Sequence, residues 1–296
     1  MKSRLSLVAL VVLMLTACGS SASPRPDLVF VSTRDGAYQL YGMNSDGSRQ
    51  KRLTREKGDP TTTRGLFYQV EPAWSPNRRS VAFTSTRDGP SHVFLMGLSG
   101  GETRRLTDTK EDDHNPSWSP SGNQLAFDRN RRLFVMSADG TGAHPVGADK
   151  ARDTDPAWSP DGLWLAYVRK VSGMAPREIW LVHPDGSGRH ALTRLGARSE
   201  SPAWSPDSKR VAFSSDKRAG IYEIYVVDAD GKHVRQLTVT GAGSFEPAWS
   251  PDGKLVAFWS DGSIYTLNLN RHETQLTDDK NNSSPVWRPA GGSVAH

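Results

Sequence analysis

The stretch Pro156-Ala157-Trp158-Ser159-Pro160-Asp161-Gly162 occurs a second time in this sequence, unchanged, at residues 247–253. Four variants of the same motif begin at Pro72, Pro116, Pro202 and Pro285. The motif tryptophans lie 38 to 46 residues apart, at Trp74, Trp118, Trp158, Trp204, Trp249 and Trp287. A repeat of this length, made of short strands and turns, is typical of a β-propeller.

Each repeat predicts four antiparallel strands. Ser-Pro-Asp-Gly favours a tight turn, because proline presets φ and glycine relieves the last position. An apolar run such as Val211-Ala212-Phe213 follows it, and then a third strand such as Ile224-Tyr225-Val226-Val227. A hairpin turn at Asp230-Gly231 leads to an outer strand that ends at Leu237-Thr238. Apolar residues at successive positions fit strands that are covered on both faces, as between packed blades.

The two ends of the chain are predicted to share one blade. Residues 27–36 match residues 80–89, so the chain enters its first blade at the second strand. The innermost strand of that blade then comes from the C-terminal motif around Trp287. Residues 27–296 are therefore predicted to form an all-β, six-bladed β-propeller that leaves no free sheet edge at the seam. Ser293-Val294-Ala295 also resembles a second strand and is interpreted as a frayed tail.

The first 17 residues are predicted to be a lipoprotein signal peptide. Met1-Lys2-Ser3-Arg4 is basic, and the apolar run from Leu5 to Leu15 is too short for a stable transmembrane helix. It ends in Leu15-Thr16-Ala17-Cys18, which resembles the bacterial lipobox, and Cys18 is the only cysteine. The resemblance implies lipidation of Cys18 and a flexible tether over residues 18–26. An ordinary signal peptide with a chance cysteine is the alternative.

The lipobox resemblance also implies a location in the bacterial cell envelope. Gly19 follows the cysteine, where an aspartate would favour retention in the inner membrane. We therefore expect an outer-membrane protein facing the periplasm in a Gram-negative cell, and otherwise one on the outer face of the cytoplasmic membrane. The formal net charge of +5 includes Lys2 and Arg4 of the signal peptide. Such a modest basic excess in an exported protein argues for anionic partners in the envelope, and the compartment argues against a nucleic-acid partner.

The residue that precedes each motif proline is expected to lie at the axial channel, where the chain enters the innermost strand. Those residues are Glu71, Asn115, Asp155, Ser201, Glu246 and Ser284, and His114, Thr154 and Glu200 come one position earlier. We predict a binding site at the channel mouth from Glu71, His114, Asn115, Asp155, Glu200 and Glu246. Converging carboxylates repel one another, so a divalent cation such as calcium, a partner's lysine or partial protonation would relieve them. Alternatively, each acid only accepts hydrogen bonds from the local backbone.

No catalytic residue is predicted. Gly97-Leu98-Ser99-Gly100-Gly101 fits the Gly-x-Ser-x-Gly pattern of hydrolases, but it falls at a hairpin turn with no following helix. The eight histidines are not spaced as metal ligands. We therefore expect a protein that is not an enzyme, has no cofactor apart from the channel cation considered above, and is a monomer.

The repeat as a whole resembles the propeller repeat of the TolB family, the periplasmic component of the Tol-Pal system, over residues 27–296. The resemblance implies a propeller that binds an envelope protein at its channel mouth, such as a peptidoglycan-associated lipoprotein. TolB proteins carry an α/β domain before the propeller, which is not expected here, so the functions of that domain do not carry over. Similar repeats occur in oligogalacturonate lyases and prolyl-oligopeptidase-type enzymes. A carbohydrate-binding or lyase-like envelope propeller is therefore the alternative, with Phe245 and Tyr68 near the channel.

Overall fold

The computed structural model describes residues 25–54, 69–98, 103–147, 152–170, 175–218 and 220–290. This part of the chain contains strands and turns and no helix. Its strands form six sheets, each of four antiparallel strands, which confirms the predicted six-bladed propeller. The predicted signal peptide, Cys18, most of the tether and the tail at residues 293–295 lie outside the described residues.

The blades follow one another along the chain. Blade 1 contains β1 (Leu28–Ser32), β2 (Gln39–Met43) and β3 (Lys51–Arg52). Blade 2 contains β4 (Gln69–Trp74), β5 (Ser80–Ser85), β6 (His92–Gly97) and β7 (Thr103–Arg105). Blade 3 contains β8 (Asp113–Trp118), β9 (Gln124–Arg129), β10 (Arg132–Ser137) and β11 (His144–Pro145).

Three further blades complete the ring. Blade 4 contains β12 (Arg152–Trp158), β13 (Leu165–Lys170), β14 (Glu178–Val182) and β15 (His190–Ala191). Blade 5 contains β16 (Ser199–Trp204), β17 (Arg210–Arg218), β18 (Ile221–Asp228) and β19 (Arg235–Gln236). Blade 6 contains β20 (Ser244–Trp249), β21 (Leu255–Ser260), β22 (Ser263–Asn268) and β23 (Glu273–Gln275). The last strand, β24 (Asn282–Trp287), returns to blade 1.

The ring closes through the two ends of the chain, as the sequence predicts. In blade 1 the strand order is β24-β1-β2-β3, and Leu28 of β1 pairs with Trp287 of β24. The first strands of the six blades contact one another in a closed cycle, β4, β8, β12, β16, β20 and β24. These strands are therefore the innermost ones and surround the axis.

The core lies between the blades. The second strand of every blade carries a fully buried aromatic side chain, namely Phe30, Phe83, Phe127, Tyr167, Phe213 and Phe258. Each of the hydrophobic clusters joins two neighbouring blades; one, for example, contains Tyr167 and Leu165 of blade 4 with Val135 of blade 3. Since both faces of these strands are covered, the continuous apolar runs of the sequence are explained.

The Ser-Pro-Asp-Gly motif forms the turn from the first to the second strand. In blade 4 the Ser159 hydroxyl donates to Asp161 Oδ1 at 2.6 Å and accepts the Trp164 N–H at 2.9 Å. Asp161 Oδ1 also accepts the Leu163 N–H at 3.0 Å. The serine and the aspartate therefore satisfy the turn's polar groups locally, which accounts for their repetition.

The propeller has two faces that differ in what they present. We call the face where the innermost strands begin the upper face, and the face with the Ser-Pro-Asp-Gly turns the lower face. The chain leaves the described part at the lower face, where the Arg25 guanidinium donates to the Arg78 carbonyl at 3.1 Å. Arg288, after β24, donates to Asp27 Oδ1 at 2.6 Å. No helix long and apolar enough to cross a membrane occurs in the described ranges.

Candidate functional site

The six residues that precede the motif prolines line the channel, but they do not lie at the start of the innermost strands. Each occupies the third or fourth position of its strand, at a β-bulge where the pairing register shifts. All six have positive φ, between 50° and 56°: Glu71, Asn115, Asp155, Ser201, Glu246 and Ser284. Positive φ is uncommon outside glycine, so six equivalent cases indicate one shared structural cause.

That cause is the β-bulge, and in four of the six residues the backbone N–H donates a hydrogen bond to a side chain of the preceding blade. The bulge turns the backbone N–H of the channel residue toward the preceding blade. The Asn115 N–H donates to Glu71 Oε2 at 2.8 Å, and the Ser284 N–H donates to Glu246 Oε2 at 2.8 Å. The Asp155 N–H donates to Asp128 Oδ1 at 3.2 Å. Glu71 and Glu246 therefore tie neighbouring blades together, because each accepts a hydrogen bond from the backbone of the following blade and not from its own local backbone.

One cavity of about 350 Å³ runs along the axis. Its wall is made by the Pro-Ala segments of the innermost strands, and the residues before the prolines form a polar ring in it. Glu71, Asn115, Asp155 and Glu246 of the predicted set lie in this ring, with Ser201 and Ser284. Asn115 links two acids, because its side-chain amide donates to Asp155 Oδ1 at 2.9 Å and to Asp128 Oδ1 at 2.8 Å.

Burial changes the protonation of this ring. Burial raises the pKa of Asp155 to about 8, helped by the charges of Asp128 and Glu71. Burial also raises the pKa of Asp128 to about 6, and that of Glu246 above its usual value. For Glu71 burial acts in the same direction, but the nearby His114 and the hydrogen bonds from Thr84 and Asn115 outweigh it and hold the pKa low. Of the three ways to relieve the acids, these shifts favour partial protonation.

His114 and Glu200 lie above the ring, on the upper face. His114 Nδ1 is 3.6 Å from Glu71 Oε2, and the interaction with the Glu71 carboxylate raises the pKa of His114. Glu200 pairs with Arg177. Both residues line another cleft, of about 300 Å³, between blades 3, 4 and 5. The predicted set is thus divided between the axial cavity and this cleft.

An apolar patch lies on the same upper face, beside the channel residue Glu246. Phe245, one position before Glu246, stacks on Trp259 with ring centroids 4.7 Å apart, and the Tyr222 ring centroid lies 5.1 Å from that of Phe245. Ile221 and Val239, on the same face of blade 5, are 37% and 68% exposed. We call Ile221, Tyr222, Val239, Phe245 and Trp259 the apolar rim patch. In this patch Ile221 and Val239 are exposed and the three aromatic rings are partly buried, and exposed apolar side chains can mark a binding surface.

Several residues of the upper face are missed by sequence reasoning. Of the apolar rim patch, only Phe245 is expected near the channel, because Tyr222 and Trp259 are indistinguishable in sequence from core positions of their strands. Tyr68, also expected there, lies outside the described residues. In the described ranges no group of three or more His, Cys, Asp or Glu side chains is placed to hold a metal ion. We therefore carry no metal proposal forward for the channel.

Comparison with known proteins identifies the family. Residues 65–173 and 132–296 match the family described as the TolB beta propeller domain. The chain belongs to the TolB β-propeller family. The Tol-Pal system protein TolB of Desulfosudis oleivorans is 29% identical to it over 119 residues, which are 38% of this chain and 25% of that protein. The uncharacterized peptidase YuxL of Bacillus subtilis is 37% identical over 73 residues, 24% of this chain and 11% of that protein. The TolB-like chain thus spans a quarter or less of these two relatives.

Solved structures show the same fold. TolB from Acinetobacter baumannii superposes with a TM-score of 0.76 at 21% identity, covering 89% of this TolB-family chain and 66% of the other. An oligogalacturonate lyase in complex with manganese superposes with a TM-score of 0.58 at 16% identity, covering 84% and 73%. At such low identity these likenesses show the propeller fold and nothing about ligands.

Proposed function

We propose that this chain is a lipid-anchored propeller of the bacterial cell envelope that binds a partner protein at the upper mouth of its channel. Membership of the TolB family supports a binding role and an envelope location. The single observation that carries the proposal is the apolar rim patch beside the channel acids. A peptidoglycan-associated lipoprotein is a candidate partner, because the relative from Desulfosudis oleivorans bears the name of a Tol-Pal system protein.

The composition of the patch favours a protein over a sugar. Stacked aromatic rings such as Phe245 and Trp259 suit either ligand. The aliphatic side chains of Ile221 and Val239 offer no hydrogen bonds to a sugar, but they bury favourably against apolar side chains. A carbohydrate-binding role is the second candidate, and the aromatic stack is the observation that supports it.

The rim proposal is tested by changing Val239 to aspartate and Phe245 to alanine together. We expect capture of the envelope partner to fall at least about tenfold, since a charge and a lost ring remove the apolar contact. The measurement is affinity capture from detergent-solubilised envelopes, with quantitative mass spectrometry. Leu163→Asp is the matched control, because Leu163 is 58% exposed on the lower face. Equal capture by the wild type and the rim variant would refute the proposal, and selective loss of glycan binding would favour the second candidate.

The lipid anchor is a separate proposal that rests on Cys18. Because the segment before Arg25 leaves from the lower face, an anchor there would leave the upper mouth accessible. Two or three acyl chains would hold the protein durably, since each buried methylene contributes about 0.8 kcal/mol. We expect Cys18→Ala to move the protein from the membrane fraction to the soluble fraction, as measured by fractionation and immunoblotting, whereas Ser20→Ala stays with the membrane. Retention of Cys18→Ala in the membrane would exclude this anchor.

A further inference from the structure

The cleft between blades 3, 4 and 5 has a basic rim. Four cationic side chains line it: Arg131, Arg152, Lys170 and Arg177. Arg131, Arg152 and Arg177 are exposed and Lys170 is half-buried, so their charged ends are open to a ligand. The cleft lies on the upper face, next to the channel acids.

Folding brings these cations together against their mutual repulsion. Arg152 of β12 stands directly opposite Lys170 of β13 in the antiparallel register. Like charges in this position are destabilising. The Arg131 carbonyl accepts the Asp153 N–H at 2.9 Å, which holds the turn of Arg131 beside the start of β12. Asn130 and Arg131 have φ of 47° and 63° because they are the two central residues of the hairpin between β9 and β10, which fixes Arg131 at the edge of the cleft.

The acids of the cleft are engaged elsewhere. Asp128 and Asp155 accept hydrogen bonds from Asn115, and burial keeps Asp155, with its pKa of about 8, mostly protonated at neutral pH. Glu200 is paired with Arg177. Among the described residues, no ion pair to Arg131, Arg152 or Lys170 is found. Asp128, with its pKa of about 6, and Glu200 offset two of the four cationic side chains, so the cleft presents an excess of positive charge.

We propose that this cleft binds an acidic peptide segment of the partner protein, through carboxylate side chains that pair with Arg131, Arg152 and Lys170. The inference rests on the proposed function, because it assigns the chemistry of the partner that docks on the upper face. Arginine forks bind carboxylates in a bidentate manner, which gives specificity as well as attraction.

The cleft and the apolar rim patch form one continuous surface. Glu200 lines the cleft and lies close to Tyr222 of the apolar rim patch. Burial, together with the charge of Glu200, raises the pKa of Tyr222 to about 12. The Arg198 guanidinium lies over the Tyr222 ring, 5.5 Å from its centroid. A partner whose acidic segment lies beside an apolar one would match this surface. This arrangement favours a peptide over an acidic glycan, which lacks apolar side chains.

The test measures binding of defined probes to the full-length protein by fluorescence anisotropy at low salt. The probe is a fluorescein-labelled peptide of alternating glutamate and serine, with alternating glutamine and serine as its uncharged counterpart. We expect the glutamate peptide to bind and the glutamine peptide to bind at least tenfold more weakly. We expect the double variant Arg152→Gln/Lys170→Gln to weaken glutamate-peptide binding about tenfold or more, and added salt to weaken it further.

A control variant separates the cleft from the overall charge. Lys209→Gln/Lys254→Gln removes the same charge from exposed positions on the lower face and should bind the peptide as the wild type does. Equal weakening by both variants, or no discrimination between the two peptides, overturns the proposal. Binding of oligogalacturonate but not of the glutamate peptide also overturns it and assigns the cleft to an acidic glycan. If the cleft variant binds normally while the rim variant still loses its partner, the cleft proposal fails and the proposed function stands.

Discussion

Replacing Phe213 with alanine is expected to lower the free energy of unfolding by about 3–5 kcal/mol. Phe213 is fully buried in β17, in the hydrophobic cluster between blades 4 and 5. Its ring stacks on Tyr225 with the centroids 5.9 Å apart. Both neighbouring sheets are fixed in the ring, so they cannot close over the space that the substitution leaves. Urea unfolding followed by tryptophan fluorescence measures the effect.

Two further variants calibrate this result. Leu163→Ala removes an exposed aliphatic side chain on the lower face and should change the free energy of unfolding by less than about 0.5 kcal/mol. Phe213→Leu keeps part of the apolar volume and should give an intermediate loss. A Phe213→Ala protein as stable as the wild type would show that the packing between blades 4 and 5 contributes little.

The second large effect concerns Asp155→Asn, which is expected to stabilise the protein by about 2–5 kcal/mol at pH 9. Asparagine keeps the acceptor oxygen for Asn115 and tolerates the φ of 54° better than most residues. In the wild type, ionisation of the buried Asp155 carboxyl destabilises the folded state at high pH. Asparagine cannot ionise, so this destabilisation is absent from the variant. Chemical denaturation across the pH range measures the difference.

The sign of the pH dependence follows from the raised pKa of Asp155, about 8 in the folded protein against 3.8 for the unperturbed group. Below pH 3.8 the carboxyl is protonated in both states, and its contribution to stability is fully present. As the pH rises toward 8, the unfolded chain releases the proton and the folded one retains it, so stability falls. The advantage of Asp155→Asn should therefore grow between about pH 4 and 8 and then level off.

An exposed acid provides the control for this experiment. Asp278→Asn removes a carboxyl from an exposed position between β23 and β24, far along the chain from the channel residues, and should not reproduce the advantage that Asp155→Asn gains with rising pH. If the wild type and Asp155→Asn lose stability in parallel between pH 4 and 8, then Asp155 is ionised in the folded channel and burial does not raise its pKa.

The fold was accessible from the sequence because its determinants are local and repeated. Each Ser-Pro-Asp-Gly turn satisfies its own polar groups, as Ser159 and Asp161 show. Because one such turn occurs in each blade, six copies of the motif predict six blades. The match of residues 27–36 to residues 80–89 likewise reveals where the ring closes. Position within the repeat also placed Glu71, Asp155 and Glu246 at the axis.

The site was less accessible, because its chemistry arises from contacts between blades. The positive φ of Asn115 follows from an N–H that reaches Glu71 in the preceding blade, and no neighbouring residue in sequence signals it. Arg152 and Lys170 become opposite neighbours only in the register of β12 and β13. In sequence Tyr222 and Trp259 look like ordinary strand aromatics, and only the folded ring brings both of them against Phe245.

The closure of blade 1 also determines how the protein would carry mechanical force. A pull on the chain before Arg25 acts along β1, whose ladders with β24 and β2 have their hydrogen bonds perpendicular to the strands. Such a pull would load those bonds together, in shear, instead of opening them one after another. The bond from Arg288 to Asp27 would join the C-terminal strand to the same load. The paired strands β24, β1 and β2 would therefore resist a pull on the N-terminal end of the chain.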